Sequence, residues 1–322
     1  MDGRVLLDGR VLLDDWMMLE YLAKRILQSL VVLVLLTFIV FTIINLSGDP
    51  VRLLLPPDAT AEDVQALRTA WGLDDPLLIR YGRFVRQIVQ LDFGRSLQWR
   101  QPALELVMER LPTTLRLAGL AVLVATLISV PAGVLAATQR GRVVDGLVSS
   151  LALIGQSTPV FWLGIMSILL FAVRLGWLPA SGQSSWQHWI LPVGTLSLFL
   201  AGGIVRVTRT SVLEILPEPF VRTAKAKGST PATVIWKHVV RNAAIPIVTQ
   251  IGLQLRFVIG GSVITESVFA LPGLGRLLVR SVFARDYPIV VASVFVTAAL
   301  LIAINILIDV SYTRLNPRVS LR

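Results

Sequence analysis

The sequence predicts an all-α fold, a polytopic membrane bundle of six transmembrane helices. Charged residues make up only 16% of its 322 positions, where a soluble domain of this length carries roughly 25%. Hydrophobic residues make up 54%, and the mean hydropathy is +0.73. The apolar runs have the length of membrane-crossing helices rather than of barrel strands. A net charge of +10 would suggest nucleic acid for a soluble protein. In a membrane protein it reflects Lys and Arg gathered on the cytoplasmic side, so no nucleic-acid partner is expected and the lipid bilayer is. With no cysteine, thiolate chemistry and Cys-based metal sites are excluded. Two distant histidines, His188 and His238, leave little for a His-based metal centre.

Residues 1–17 repeat themselves: Asp-Gly-Arg-Val-Leu-Leu occurs at 2–7 and again at 8–13. This points to a start placed upstream of the true one, at Met17 or Met18; the alternative is a short disordered cytosolic tail. Residues 18–46 hold the first transmembrane helix. Lys24 and Arg25 precede an apolar run from Ile26 to Leu46. The run is too long for a signal peptide, lacks a small-residue cleavage site, and has its positive flank inside.

Residues 47–112 read as an extracytoplasmic helical segment. Gly48-Asp49-Pro50 ends the membrane run. Thr60 and Asp63 have capping-box spacing. Leu77, Leu78, Tyr81, Phe84, Val85, Ile88 and Leu91 follow helical spacing, and 91–96 reads as a turn. Residues 113–322 form a five-helix core, with spans near 114–137, 147–173, 190–210, 244–266 and 289–310. The loop at 138–146 carries Arg140 and Arg142 and falls inside. The loop at 174–189, with Trp177, Trp186 and Trp189, suits the outer interface. Both termini are then cytoplasmic, as are all four lysines, Lys24, Lys225, Lys227 and Lys237.

A polar, basic island at 214–246 interrupts this pattern. Pro217 and Pro219 suit the first turn of a helix. Phe220, Val221, Ala224 and Gly228 fall on a small-residue face, with Arg222, Thr223 and Lys225 elsewhere on the same short helix. Gly228 stops the helix, and Ser229 or Thr230 caps a second one that has Pro231 at its first position. Charge is costly in hydrocarbon, so the pair faces water and has the look of a docking element for a soluble partner.

The spans themselves are broken. Gln156-Ser157-Thr158-Pro159 interrupts the third, and Pro131 and Pro192 interrupt its neighbours. Such breaks are tolerated where they face protein or a water-filled cavity. Helix packing explains any single one; their number favours a bundle that rearranges. Arg256 lies near the middle of the fifth span, at a cost of at least ~2.5 kcal/mol. It faces either a substrate pathway, as a partner for a carboxylate, or polar groups inside the bundle. Gln156, Ser157, Pro159 and Gln254 are the other pathway candidates; Glu266 and Asp309 read as interfacial or packing residues. The chain has no P-loop, His-Glu-x-x-His, Gly-x-Ser-x-Gly or Gly-x-Gly-x-x-Gly motif. It is therefore expected to be non-catalytic, with no catalytic residues and no resident metal or cofactor, and to take its energy from another subunit.

Arg222-Thr223-Ala224-Lys225-Ala226-Lys227-Gly228, followed by Arg241-Asn242-Ala243 and Ile245-Pro246, resembles the EAA loop of binding-protein-dependent ABC importer permeases in its peptide/nickel version. Phe93-Gly94-Arg95-Ser96, Glu109 to Leu115, Thr158-Pro159-Val160-Phe161, Glu266-Ser267-Val268-Phe269, Pro272-Gly273-Leu274-Gly275 and Arg285-Asp286-Tyr287-Pro288 are similar to the B-type subunit of dipeptide and oligopeptide permeases. Arg222-Thr223-Ala224 replaces the Glu-Ala-Ala that names the wider family, as is usual for the peptide branch. The resemblance extends from about residue 18 to the C-terminus. It implies a type I ABC importer permease fold in a prokaryotic inner membrane and transport of dipeptides or oligopeptides. Nickel chelates, glutathione or another small solute are the alternatives. It also implies a C-type permease partner, two cytosolic ATPase subunits that hold ATP and magnesium, and an external solute-binding protein. The coupling helix would be about 218–228, with Phe220 and Ala224 seated in the ATPase groove, Gly228 allowing the turn, and Arg222 and Lys225 making polar contacts. A secondary transporter is the alternative of a different class. It would need buried ion-coupling carboxylates and inverted repeats, neither of which is visible. A membrane enzyme lacks its constellation.

Overall fold

The structure, a computed structural model, describes the backbone of residues 3–46, 60–70 and 74–315. The Gly48-Asp49-Pro50 stop and the Asp63 half of the capping pair lie outside the described residues and side chains. Among the described residues the regular structure is helical, apart from an isolated bridge between Arg95 and Pro102. The chain divides into two compact units.

The first unit takes the described residues up to Glu109 together with Leu277–Ile306. Helix α1 (Gly3–Leu46) begins upstream of the expected first span and runs through it. Its apolar stretch is almost uncovered, with Ile26, Leu27 and Leu30 all more than half exposed. An apolar helix left this exposed suits a lipid surface. After α2 (Ala61–Ala70), α3 (Leu77–Val89) sets Tyr81 and Phe84 on Phe41 of α1, with ring centroids 5.4 Å apart. Its Ile88 is buried, while Leu77 and Leu78 stay exposed. The expected turn at 91–96 is present. Leu91 and Gly94 take positive φ, and Asp92 Oδ1 accepts the Gly94 N–H at 3.0 Å. Ser96 then donates to Asp286 Oδ2 at 2.5 Å, both residues being buried within otherwise exposed turns.

The second unit takes Arg110–Arg276 and Leu307 onward. Helix α4 (Ala103–Thr138) begins well before the expected 114 and carries Pro112 and Pro131 within it. The expected third span is two helices, α5 (Val143–Ser157) and α6 (Val160–Ser167), the second prolonged by a π-type turn through Arg174. They bend by 101°, far more than a kink. Pro159 has no N–H for the carbonyl of Gly155, and Thr158 before it is held extended (φ −83°, ψ 130°). Helix α7 (Ile190–Ile215) is the most deeply covered of the long helices, with α5, α6 and the later helix Ala244–Val268 packed on it. Small residues permit this. An added Cβ at Gly155 would fall 2.8 Å from the Leu198 carbonyl oxygen, and one at Gly202 would fall 2.5 Å from that of Ala152.

Helix α8 (Pro219–Ala226) and the short α9 (Pro231–Thr233) follow, then a π-type turn at Val234–Val240 and α10 (Ala244–Val268). Helices α11 (Leu274–Phe283) and α12 (Tyr287–Leu315) complete the chain. Among the described residues, five helices are long and apolar enough to cross a membrane, and the bent pair makes a sixth if it counts as one span.

Candidate functional site

The basic island is a helical hairpin. Helix α8 has Pro219 at its first position and ends at Gly228, whose φ of +81° an L side chain rarely adopts. The Gly228 and Ser229 N–H groups donate back to the Lys225 and Ala224 carbonyls at 3.0 and 3.3 Å. Thr230, not Ser229, is the second cap: its Oγ1 accepts the Thr233 N–H at 3.3 Å, with Pro231 opening α9.

The faces of α8 correct the sequence expectation for Ala224. Val221 is fully buried and Ala224 is 8% exposed, in a cluster with Val134 and Ala137 of α4, Val212 of α7, and Val234, Val239 and Ile247. The chain's own core takes that face, so Ala224 does not share an outward surface with Phe220. Phe220, 39% exposed, lies with Thr223 and Lys227 on the outward stripe, and Arg222 and Lys225 are exposed beside it. The arrangement is a lever. Any force on the outward stripe reaches α4, α7 and α10 through side chains already in contact.

Just above the hairpin, Arg209 of α7 and Asp145 of α5 form a two-pronged ion pair, Nε to Oδ1 at 2.6 Å and Nη2 to Oδ2 at 2.9 Å. The Gly141 N–H also donates to Asp145 Oδ2 at 3.0 Å. This pins the start of α5 to α7. Beside it a groove of about 270 Å³ runs between α5 and α7, lined by Ser149, Leu153, Gln156, Gly202, Arg206 and Arg209.

Of the pathway candidates, Gln156 lines this groove, and Gly202 lets its side chain reach the α7 backbone, 2.6 Å from where a Cβ would stand. Gln254 reaches the neighbouring Gly203 from α10, as does Gln250. Ser157 and Pro159 are exposed at the bend. Arg256 is not brought to these residues. Two positions along a helix turn it roughly 200° from Gln254. It shares a face instead with Gly252, which lies against Ile308 of α12. Of the groove's two arginines, Arg206 is the one without an ion-pair partner among the described residues, and the sequence reading passed over it. Its position four residues after Gly202, inside an apolar run, was the available signal.

A further polar knot joins the end of α10 to α4 and α11. The fully buried Glu266 accepts the Thr114 and Ser262 hydroxyls at 2.7 and 3.0 Å and the Arg276 N–H at 2.9 Å. Its role is packing, as its position near a span end suggested.

Residues 129–321 match the family described as binding-protein-dependent transport system inner membrane component, and residues 18–118 match the N-terminal family of the same membrane components. The glutathione transport system permease protein GsiC of Salmonella paratyphi A is 42% identical over 303 residues, covering 94% of this chain and 99% of that one. GsiC of Escherichia coli strain K12 matches to the same extent. Among solved structures, the MetNI methionine ABC transporter in an inward-facing conformation gives a TM-score of 0.56 at 21% identity, over 66% of this chain and 96% of that one. At that identity the likeness concerns the fold alone. The chain belongs to the inner membrane components of binding-protein-dependent transport systems and is an ABC importer permease of the peptide/nickel branch, with the type I fold.

Proposed function

We propose that this chain is the B-type permease subunit of an importer for small peptides, glutathione included, and that its α8–α9 hairpin is the coupling element. The 42%-identical GsiC proteins are named for glutathione, itself a tripeptide, which supports a peptide-class cargo. The partners are a C-type permease subunit, two cytosolic ATPase subunits that bind ATP and magnesium, and an external solute-binding protein that delivers cargo. Both termini and the hairpin lie on the cytoplasmic side, where Lys and Arg accumulate. The subunit carries out no chemistry itself.

The observation that carries this reading is the division of α8 into an inward face locked in the bundle and an outward stripe of Phe220, Thr223 and Lys227. Seated in an ATPase groove, the stripe follows the nucleotide cycle. The inward face passes that movement to α4, α7 and α10 and switches the bundle between two access states by differential binding. The test is reconstitution. Proteoliposomes with both permease subunits, the ATPases and the binding protein are expected to take up peptide only with ATP and magnesium, and Phe220→Asp is expected to abolish uptake and co-purification of the ATPase. Uptake by this chain without an ATPase would refute the reading.

A further inference from the structure

Two arginines of α7 enter the groove, and only one is spent. Arg209 is neutralised by Asp145. Arg206, one turn earlier, has no hydrogen-bond or ion-pair partner among the described residues, and neither has Gln156 across from it. Arg206 is exposed near the end of its span, so its charge stays open to water or to a ligand, and a charged residue lining a cavity in a membrane bundle is a candidate for a substrate path. Gly202 is what lets the Gln156 amide lie directly on α7, one helical turn from Arg206, about 6 Å along the axis. A guanidinium and a primary amide lining one groove offer a charged fork to a terminal carboxylate and hydrogen-bond partners to a peptide group. The groove's volume of about 270 Å³ is just below the roughly 300–1,000 Å³ of sites that enclose a whole small ligand. It suits one end of a peptide.

We propose that Arg206 and Gln156 form a binding site in the translocation path for the carboxylate end of a peptide substrate. The inference rests on the permease reading above. It assigns to a different side chain the anion-binding role that was one of two alternatives for Arg256.

The chain has no cysteine, so single reporters can be placed at Leu153→Cys and, as a nearly isosteric second choice, Ser149→Cys. They are probed in the assembled transporter in proteoliposomes. The expected result is that anionic sulfonatoethyl methanethiosulfonate reacts about tenfold faster than the cationic trimethylammonium reagent. Arg206→Gln removes that preference and Arg206→Lys keeps it. During ATP-driven uptake, S-methylglutathione slows labelling, while its glycine-amidated analogue does not. Three results overturn the proposal: no charge preference, equal protection by the amidated analogue, or no labelling by either reagent. The last would mean that the groove is covered by lipid or by the second permease subunit; labelling that reappears in the isolated chain identifies the subunit. ATP-dependent uptake by the unmodified assembly is measured in parallel. If it is present while protection is absent, the site fails and the permease reading stands; if it is absent, the permease reading fails.

Discussion

Arg209 grips both carboxylate oxygens of Asp145, at 2.6 and 2.9 Å, and so ties α7 to the first turn of α5. Arg209 also lines the groove, so the pair ties the groove's two walls together at one end. Asp145→Asn is expected to lower transport several-fold and to lower the unfolding temperature of the assembled transporter, because it leaves the arginine without its counter-charge. Exchanging the two residues, Asp145→Arg with Arg209→Asp, should recover part of the loss. Recovery stays incomplete because the Gly141 N–H then loses its acceptor. A double variant no better than the singles would show that charge pairing is not the tie.

Gly273 lies directly against the Glu266 carboxyl group: a Cβ there would fall 2.6 Å from Oε1. The carboxylate is held by three donors and cannot yield. Gly273→Ala is therefore expected to destabilise by about 1–3 kcal/mol, the usual cost of overpacking, measured by thermal unfolding in detergent. Gly260, with nothing within 4 Å of its added Cβ, is the control, and Gly260→Ala should be close to neutral.

Val221 is fully buried under the hairpin. Val221→Ala removes two methyl groups from that cluster and should cost about 1–3 kcal/mol. Transport per ATP hydrolysed should fall with it, since the lever loosens where it enters the bundle. Unchanged coupling in a measurably destabilised variant would contradict the transmission argument.

The break at Ser157–Pro159 exposes backbone that a continuous helix would satisfy, so it must meet water or protein. In the assembled transporter Ser157→Cys is expected to react with a membrane-impermeant thiol reagent, with a rate that changes when ATP is trapped on the ATPase. A site inert in every nucleotide state would place the bend against lipid or sealed protein.

Much of this was legible in the sequence because its signals are local. Pro219, Gly228 and Thr230-Pro231 each dictate backbone shape where they stand, so the helix–glycine–helix hairpin could be placed to within a residue or two. The spans followed from composition alone. Three things could not be read. The inward face of α8 depends on which apolar residues the bundle accepts. Phe220 is larger, but Val221 and Ala224 fit the space beside Val134 and Val212. The 101° bend depends on how α6 packs on α7, whereas Pro159 by itself requires only an interruption. The pairings of Asp145 with Arg209, 64 positions apart, and of Thr114 with Glu266, 152 apart, exist only once the helices assemble. Arg206 gave no signal of its own because it and Arg209 stand near the end of their apolar run, as flanking charges do, whereas Arg256 stands in the middle of its span.

The most direct test of the coupling claim is site-specific cross-linking. With Phe220→Cys as the only cysteine in this chain, membranes carrying the whole transporter are oxidised against single cysteines lining the cleft of the ATPase. The account predicts a disulfide-linked permease–ATPase band, altered in yield when ATP is trapped, and no labelling of residue 220 from the outer face of intact cells. Labelling from outside, or no cross-link in any nucleotide state, would contradict it.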